Sequence, residues 1–580
     1  MRIVLLYPPP REIASAAPTP GAAGPGDCAI DKSDACVAPY GMLSLAAQAL
    51  RDGHQVKTFN LATFPWNDVE ALLGGLDADV YGLTCFTSNR LGVALAADCI
   101  RRYHPRAHVV VGGPHVTALP TQTLDHYRAI DTVVIGEGEE TFAELLARLE
   151  AGEPTEGIPG TAWRGADGPC LGPPRTRIDD LDALAPVQQY FPCNLLLTSR
   201  GCPGRCTFCA SNAMWGKRVS FHSADHVLDT LEGLLPRLPI RTVMIKDDTF
   251  TARRTRALRI CRGILDRKLN FLWSCDTRAD ALDEELLRTM RLAGCQQIAL
   301  GVESASPDIL RSIRKKVTCE QVLEATRLAR KFGLHVRYFM IAGNRGETTE
   351  TFRQSVEFLR QAQPNEYVFS ILSVYPGTEE FEIFKARGEL DEGTFFRTDA
   401  PELWMPPEPA ILEELMRDHY GLKVRPDSLE QCQSALAELP DLHAAHLDVG
   451  AAYFRAGRLD EAEHHIRRAL ELGYPVPDLA WNYLAGLAGR RGDLEGMKAR
   501  LDEAAQRPNP HPLVAQNARA LSDWLGAGGR QSGQKLNLAM RHTFQAVLPD
   551  AQPMVPAPLP EGSLDWPAAE PARARGTRVA

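Results

Sequence analysis

No stretch of this chain approaches the ~20 consecutive apolar residues that a membrane-spanning helix needs. The opening run MRIVLLYPPP lacks the length and cleavage site of a signal peptide. It breaks at proline and reads as a first buried strand. Excess charge is also missing: 64 Lys and Arg stand against 73 Asp and Glu, a net charge of −9. Nothing global therefore points to nucleic acid or to an anionic membrane. Cysteine is sparse, with 14 in 580 residues, most of them isolated in apolar patterns. That excludes a disulfide framework and suits small buried core residues. These absences predict a cytoplasmic protein with no membrane and no nucleic-acid partner. The apolar and charged fractions, 44% and 24%, are those of an ordinary globular chain. The length calls for three or four units rather than one core.

Residues 1–150 alternate strand-like and helix-like runs. Ile3–Tyr7, Gln55–Asn60, Val80–Thr84, His108–Gly112 and Thr132–Gly136 read as strands, which predicts a parallel sheet covered on both faces. The segment Pro8–Gly26, rich in Pro, Ala and Gly, reads as a mobile loop after the first strand. Residues 151–190 read as a linker with some strands. Residues 191–400 hold six further strand candidates separated by helices, which fits a partial (βα)6 TIM-like barrel with its chemistry at the C-terminal strand ends. Ser223 is placed to cap one of these helices, and Thr318 with Gln321 to form a capping box on another. Residues 408–530 are helical. Leu447, Gly450, Tyr453, Ala462, Ile466, Ala469 and Pro475 fall near tetratricopeptide spacings, and Trp481 to Pro510 repeat the pattern. Two such repeats are few, so the unit is expected to pack on the core or borrow flanking helices. The tail 547–580, rich in Pro and Ala, is expected to be disordered.

The segment SRGCPGRCTFCASNAMWGK follows directly on a strand and spaces its cysteines Cys-x3-Cys-x2-Cys at Cys202, Cys206 and Cys209. Three close thiolates can hold three irons of a [4Fe-4S] cluster and leave the fourth open to a ligand. Gly201 and Gly204 allow the tight loop this requires. A zinc site is the competing reading, but it wants a fourth Cys or His in regular spacing, and His222 is thirteen residues on. With Phe208 just before the last cysteine, the segment resembles the radical S-adenosylmethionine superfamily. The resemblance implies that the open iron chelates S-adenosylmethionine and that electron transfer cleaves it to a 5′-deoxyadenosyl radical. It places Asp247 and Asp248 at the methionine amino end, Glu303 (in LGVES) at polar groups of the same cofactor, and Gly343 (in MIAGNRGET) beside the adenine. Helix capping for the two aspartates and a surface role for Glu303 remain the alternatives. Arg278 is open to either a ligand or an ion pair. The run VYPGT, 374–378, resembles members of this family that carry cobalamin domains.

The first unit resembles the cobalamin-binding domain found ahead of such barrels, on its fold order and on GLTCFTSN, VVGGPHVTALP and IGEGEETF at successive strand ends. Gly112 and Gly113 would lie against the flat macrocycle, and Gly136 and Gly138 near its nucleotide tail. A flavodoxin-like domain without ligand is the alternative. The Asp-x-His-x-x-Gly signature is missing after the first strand, where Pro8–Gly26 carries no histidine, and His115 reads as structural. No protein histidine is therefore expected on cobalt. The whole is expected to be an α/β chain: a Rossmann-like cobalamin-binding domain, a partial barrel and a C-terminal α-helical repeat domain. The resemblance implies a [4Fe-4S] cluster, S-adenosylmethionine and cobalamin as cofactors, and methylation of an unactivated carbon of a small-molecule or peptide substrate. It also implies an electron donor such as flavodoxin or ferredoxin. A protein partner at the helical repeats is open. Ring contraction or cyclisation, and a non-catalytic cobalamin-responsive scaffold, are the rival readings.

Overall fold

The computed structural model describes residues 1–10, 39–398, 405, 407–507, 510–529 and 536–542. Most of Pro8–Gly26 and the tail from 547 lie outside the described residues.

The first sheet starts with β1 (Arg2–Tyr7), whose apolar centre is buried on both faces, as a strand covered from both sides must be. It continues with β2 (Gln55–Asn60), β3 (Val80–Thr84), β4 (His108–Gly112) and β5 (Thr132–Val134), and ends in the hairpin β6 (Thr161–Gly165) and β7 (Gly168–Leu171). The order is β2-β1-β3-β4-β5-β6-β7, parallel up to β5 and antiparallel beyond. The stretch 151–190 thus adds an edge to the first sheet as well as linking the units. Two apolar layers, one about Val4, Tyr81 and Val109 and one about Ile3, Val80 and Phe142, cover its faces. The order reverses between β1 and β3, which opens a crevice at the carboxyl ends of those strands.

The second sheet begins at β8 (Leu195–Leu196). A small antiparallel ribbon follows, β9 (Ser199–Arg200) with β10 (Ser220–Phe221), and carries the cysteine loop between its strands. Next come β11 (Thr242–Ile245), β12 (Leu272–Thr277), β13 (Cys295–Glu303), β14 (His335–Ala342), β15 (Glu366–Ile371) and the short β16 (Lys423–Val424). The order is β16-β15-β14-β13-β12-β11-β8, with six parallel strands and β16 antiparallel at the edge. This is the partial barrel. Its helices start where the caps require: Ser223 Oγ accepts from His226 N, and Thr318 with Gln321 closes a capping box.

The C-terminal region is helical, from Leu429–Glu438 to Pro512–Gly526. The helices His443–Arg455 and Leu459–Glu471 pack so closely that a methyl group at Gly450 would stand 2.7 Å from Ile466 Cγ1. This region does not stand apart. One continuous apolar core runs from barrel residues such as Phe332 and Trp273 into Leu442, Leu447 and Leu484. The buried Arg291 donates to Asp448 at 2.6 Å, and Asn270 donates to the Gly473 carbonyl at 2.7 Å. Among the described residues no helix is long and apolar enough to cross a membrane.

Candidate functional site

The ribbon β9–β10 holds the cysteine loop at the carboxyl end of the barrel strands. Within the loop Gly204 N donates to Cys202 Sγ at 3.3 Å, and Thr249 Oγ1, from the loop after β11, lies 3.2 Å from the same sulfur. A Cβ on Gly204 would stand 3.3 Å from Cys202 Sγ, 3.9 Å from Cys206 Sγ and 3.1 Å from an Arg278 nitrogen. Two of the thiols and a guanidinium thus converge on one residue that has no side chain. All three cysteines are partly buried. Burial raises the Cys206 thiol, although Lys315 and Arg278 pull the other way, and burial pushes Cys209 up to about 12.

The two aspartates after β11 part ways. Asp247 is fully buried, and its oxygens accept from Thr198 N (2.5 Å), Thr198 Oγ1 (2.5 Å), Ser199 N (3.0 Å) and Ser199 Oγ (2.7 Å). Its acceptor capacity is spent on bracing the strand that feeds the cysteine loop, so these bonds make it a support. Asp248 accepts from Gly201 N and Ser211 Oγ, both at 3.0 Å, and its charge acts on Cys209, so it borders the cysteines themselves. Glu303 ends β13 at a register shift with φ +68°, a left-handed conformation that costs a glutamate on the order of 1 kcal/mol. Lys315 donates to it at 2.8 Å and faces Cys206 as well. The spacing of the chain gave no sign of Lys315, which sits in a run of basic residues thirteen positions after Val302. Arg278 is both things the sequence left open: it pairs with Asp280 at 2.8 Å and lies against the cysteine loop. Gly343, with φ +81°, donates its N–H to Glu347 at 2.6 Å and approaches the Met405 carbonyl.

At the mouth of the first sheet Gly113 has φ +113°, and a Cβ there would meet the Cys85 carbonyl at 2.6 Å, so only glycine fits. Gly112 packs ordinarily beside Val134. Gly136 faces open space and donates to Thr117 at 3.0 Å, whereas Gly138 packs under Leu45. His115 lies in the short helix Pro114–Ala118, near Thr87 (3.2 Å), with its Nε2 buried and unpartnered; burial depresses it to about 3.

The two mouths meet. Arg200, two residues before Cys202, is buried and donates to Glu137, in the loop after β5, at 2.8 Å and to Glu139, the first residue of the helix that follows, at 2.6 Å. Glu139 also accepts from Ser44 at 2.7 Å, and its carboxyl stays below the ordinary range because these bonds outweigh its burial. A Cβ on Gly377, in VYPGT, would touch Ala118 of the first unit and Ala213 of the helix after Cys209. The complementary charges were visible in two motifs, SRGC and GEGEE, but nothing in the sequence paired them.

These residues fit the expected cofactors. Buried thiols that repel one another as thiolates need a counter-charge beyond Lys315 and Arg278, and a cluster of irons supplies it. A carboxylate and an ion pair at the rim of the same loop suit the polar end of an amino-acid cofactor. A backbone-lined mouth with an open face at Gly136 suits a flat group.

Comparisons with known proteins agree. The radical SAM superfamily model matches residues 196–359, and the B12 binding domain model matches residues 26–146. An uncharacterized methyltransferase of Pyrococcus horikoshii is 33% identical over 357 residues, covering 59% of this chain and 78% of the relative. The anaerobic magnesium-protoporphyrin IX monomethyl ester cyclase of Rubrivivax gelatinosus is 26% identical over 53% of this chain and 58% of its own length. In fold, the chain is similar to the radical S-adenosylmethionine methyltransferase TsrM of Kitasatospora setae, solved with cobalamin and a [4Fe-4S] cluster. The TM-score is 0.56 at 16% identity, covering 87% of this chain and all of that one. With a cysteine loop on a partial barrel, a Rossmann-like sheet closed over it and a relative of this identity and coverage, the chain belongs to the radical S-adenosylmethionine enzymes that carry a cobalamin-binding domain and use a [4Fe-4S] cluster, S-adenosylmethionine and cobalamin.

Proposed function

We propose that this enzyme transfers a methyl group to an unactivated carbon of a small-molecule or peptide substrate held between the two sheet mouths. When bound, its cofactors supply a hydrogen-abstracting carbon radical and a transferable methyl group. Cys202, Cys206 and Cys209 would hold the cluster. Asp248, and Glu303 with Lys315, would orient S-adenosylmethionine. The backbone at Gly112, Gly113 and Gly136 would seat cobalamin, with Gly138 packed behind it, while Asp247 braces the strand that feeds the cysteine loop. Arg200 keeps the two mouths in register through Glu137 and Glu139, which serves a reaction whose partners must stand on opposite sides of one carbon. That bridge is the observation on which the reading rests. We place the enzyme in the cytoplasm, fed by a flavodoxin or ferredoxin, and read the helices as tetratricopeptide-like with a second role in docking a protein.

The cyclase among the relatives favours one rival, cyclisation with the same cofactors. An anaerobic assay separates them. The reconstituted enzyme, dithionite and S-adenosylmethionine with a labelled methyl group are supplied with a small-molecule extract. Methyl transfer puts label into a new product alongside 5′-deoxyadenosine. A new product without label supports cyclisation. No 5′-deoxyadenosine at all returns the chain to a scaffold.

A further inference from the structure

Behind the ribbon that carries the cysteine loop, three side chains converge that the reaction does not use. Asp182 sits in a short 3-10 turn (Leu181–Ala183) of the segment joining the two sheets. His222 follows β10, and His226 lies four residues on, in the first turn of the helix Ala224–Leu234. Their ligand atoms all lie within 4.8 Å of one another. His222 Nδ1 is 3.0 Å and His226 Nδ1 3.7 Å from the same oxygen, Asp182 Oδ1. Metal–ligand bonds of about 2.0–2.1 Å in a tetrahedron put ligand atoms about 3.3 Å apart, so the two separations bracket the spacing zinc requires.

Each ligand is fixed by its own backbone. His222 N donates to the Thr198 carbonyl at 3.0 Å, and its carbonyl accepts from Arg256 Nε at 2.8 Å. Ser223 Oγ accepts from His226 N at 3.1 Å, which sets the start of the helix and the direction of His226. Ser223 N donates to both oxygens of Asp182, at 3.1 and 3.2 Å. The imidazoles stack with centroids 4.5 Å apart and 14° between planes, so both present the same edge to the carboxylate. Hydrogen bonds from Ser223 and His222 hold Asp182 below the ordinary carboxylate range in spite of its partial burial, and burial together with His226 depresses His222 to about 4. A small cavity of about 20 Å³, room for about one water, is lined by Tyr40, Gln188, Arg200, His222 and His226.

We propose that Asp182, His222 and His226 form a second metal site for one zinc-class divalent ion, distinct from the cysteine loop. Two imidazoles and a carboxylate are borderline donors that suit zinc. The ion would tie the inter-sheet segment at Asp182 to the ribbon that carries the cysteines, since β10 pairs with β9 and β9 runs into Cys202. Its role is to fix that ribbon, not to take part in the reaction.

The test uses the full chain with its cluster assembled, so that the thiols are occupied. Wild type and His226→Ala are equilibrated anaerobically with zinc chloride and desalted. Zinc and iron are then counted by mass spectrometry, and the zinc environment is read by X-ray absorption. Wild type is expected to retain about one zinc per chain with nitrogen and oxygen neighbours only, and His226→Ala to bind at least about tenfold more weakly at unchanged iron content. Asp182→Asn gives a second reading should His226→Ala lose its fold. Zinc with sulfur neighbours, no retained zinc, or equal retention in the variants overturns the site.

Discussion

At the mouth of the first sheet the candidate groups are backbone: Gly112, Gly113 and Gly136, the last with an open face. At the mouth of the second they are side chains with charge or sulfur: the three cysteines, Asp248, Glu303, Lys315 and Arg278. A broad flat ligand is recognised by shape, and a compact charged one by donors. Substitutions should therefore act differently at the two ends, and four experiments bear on that.

The largest effect is expected at the second mouth. Cys206→Ala should abolish iron incorporation and adenosyl cleavage with cobalamin binding intact, as read from iron content, 5′-deoxyadenosine and the cobalamin spectrum. Persistent cleavage would remove the distinction between the mouths. Next is the bridge between them. Arg200→Met leaves Glu139 without a cation and Glu137 with only Arg177 at 3.8 Å, and should lower stability by about 3 kcal/mol, seen as an earlier urea midpoint. An unchanged midpoint would mean that the mouths are not held by charge. Third, Gly113→Ala meets the Cys85 carbonyl at 2.6 Å and should cost about 2–3 kcal/mol, whereas Gly136→Ala meets nothing within 4 Å and should cost about 1 kcal/mol while weakening cobalamin binding. Equal stability losses in the two variants would undo the reading of Gly136 as the open face.

The last experiment probes the second mouth by pH. Burial pushes Glu347, behind Gly343, up to about 7. A carboxyl raised in the folded state penalises folding once it must ionise. The penalty is absent below its ordinary range, grows as pH rises towards 7 and is constant above. The stability of Glu347→Gln relative to wild type should therefore rise between pH 4.5 and 7 by about 3 kcal/mol and then level off. A difference that is flat with pH, measured by urea unfolding, would show that this carboxyl does not titrate there.

The two mouths also differ in how much of them the sequence reveals. Strand period, caps and cysteine spacing are local patterns, so the two parallel sheets, Ser223, Thr318 and the loop from Cys202 to Cys209 could be read directly. What remained hidden depends on distant partners. Asp247 and Asp248 are adjacent and alike in sequence, and only the fold shows that Thr198 and Ser199 occupy one of them. Gly138 looks like Gly136 in a glycine-rich motif, yet Leu45, far back in the chain, packs against it. The hairpin β6–β7 has too many Gly and Pro residues for a clear alternation, so its place at the edge of the first sheet could not be seen. Asp182 lies 40 residues from His222, beyond any spacing rule.

The ion pair of Arg291 with Asp448 has a consequence for how the molecule is made. Arg291 follows the third barrel strand and is wholly enclosed, while its counter-ion comes 157 positions later. During synthesis the barrel's last strands leave the ribosome before that counter-ion exists, so a nascent chain halted near residue 420 holds an arginine it can neither bury nor neutralise. The barrel therefore matures only after the helices arrive, and the helices belong to the enzyme's assembly as much as to any partner they meet.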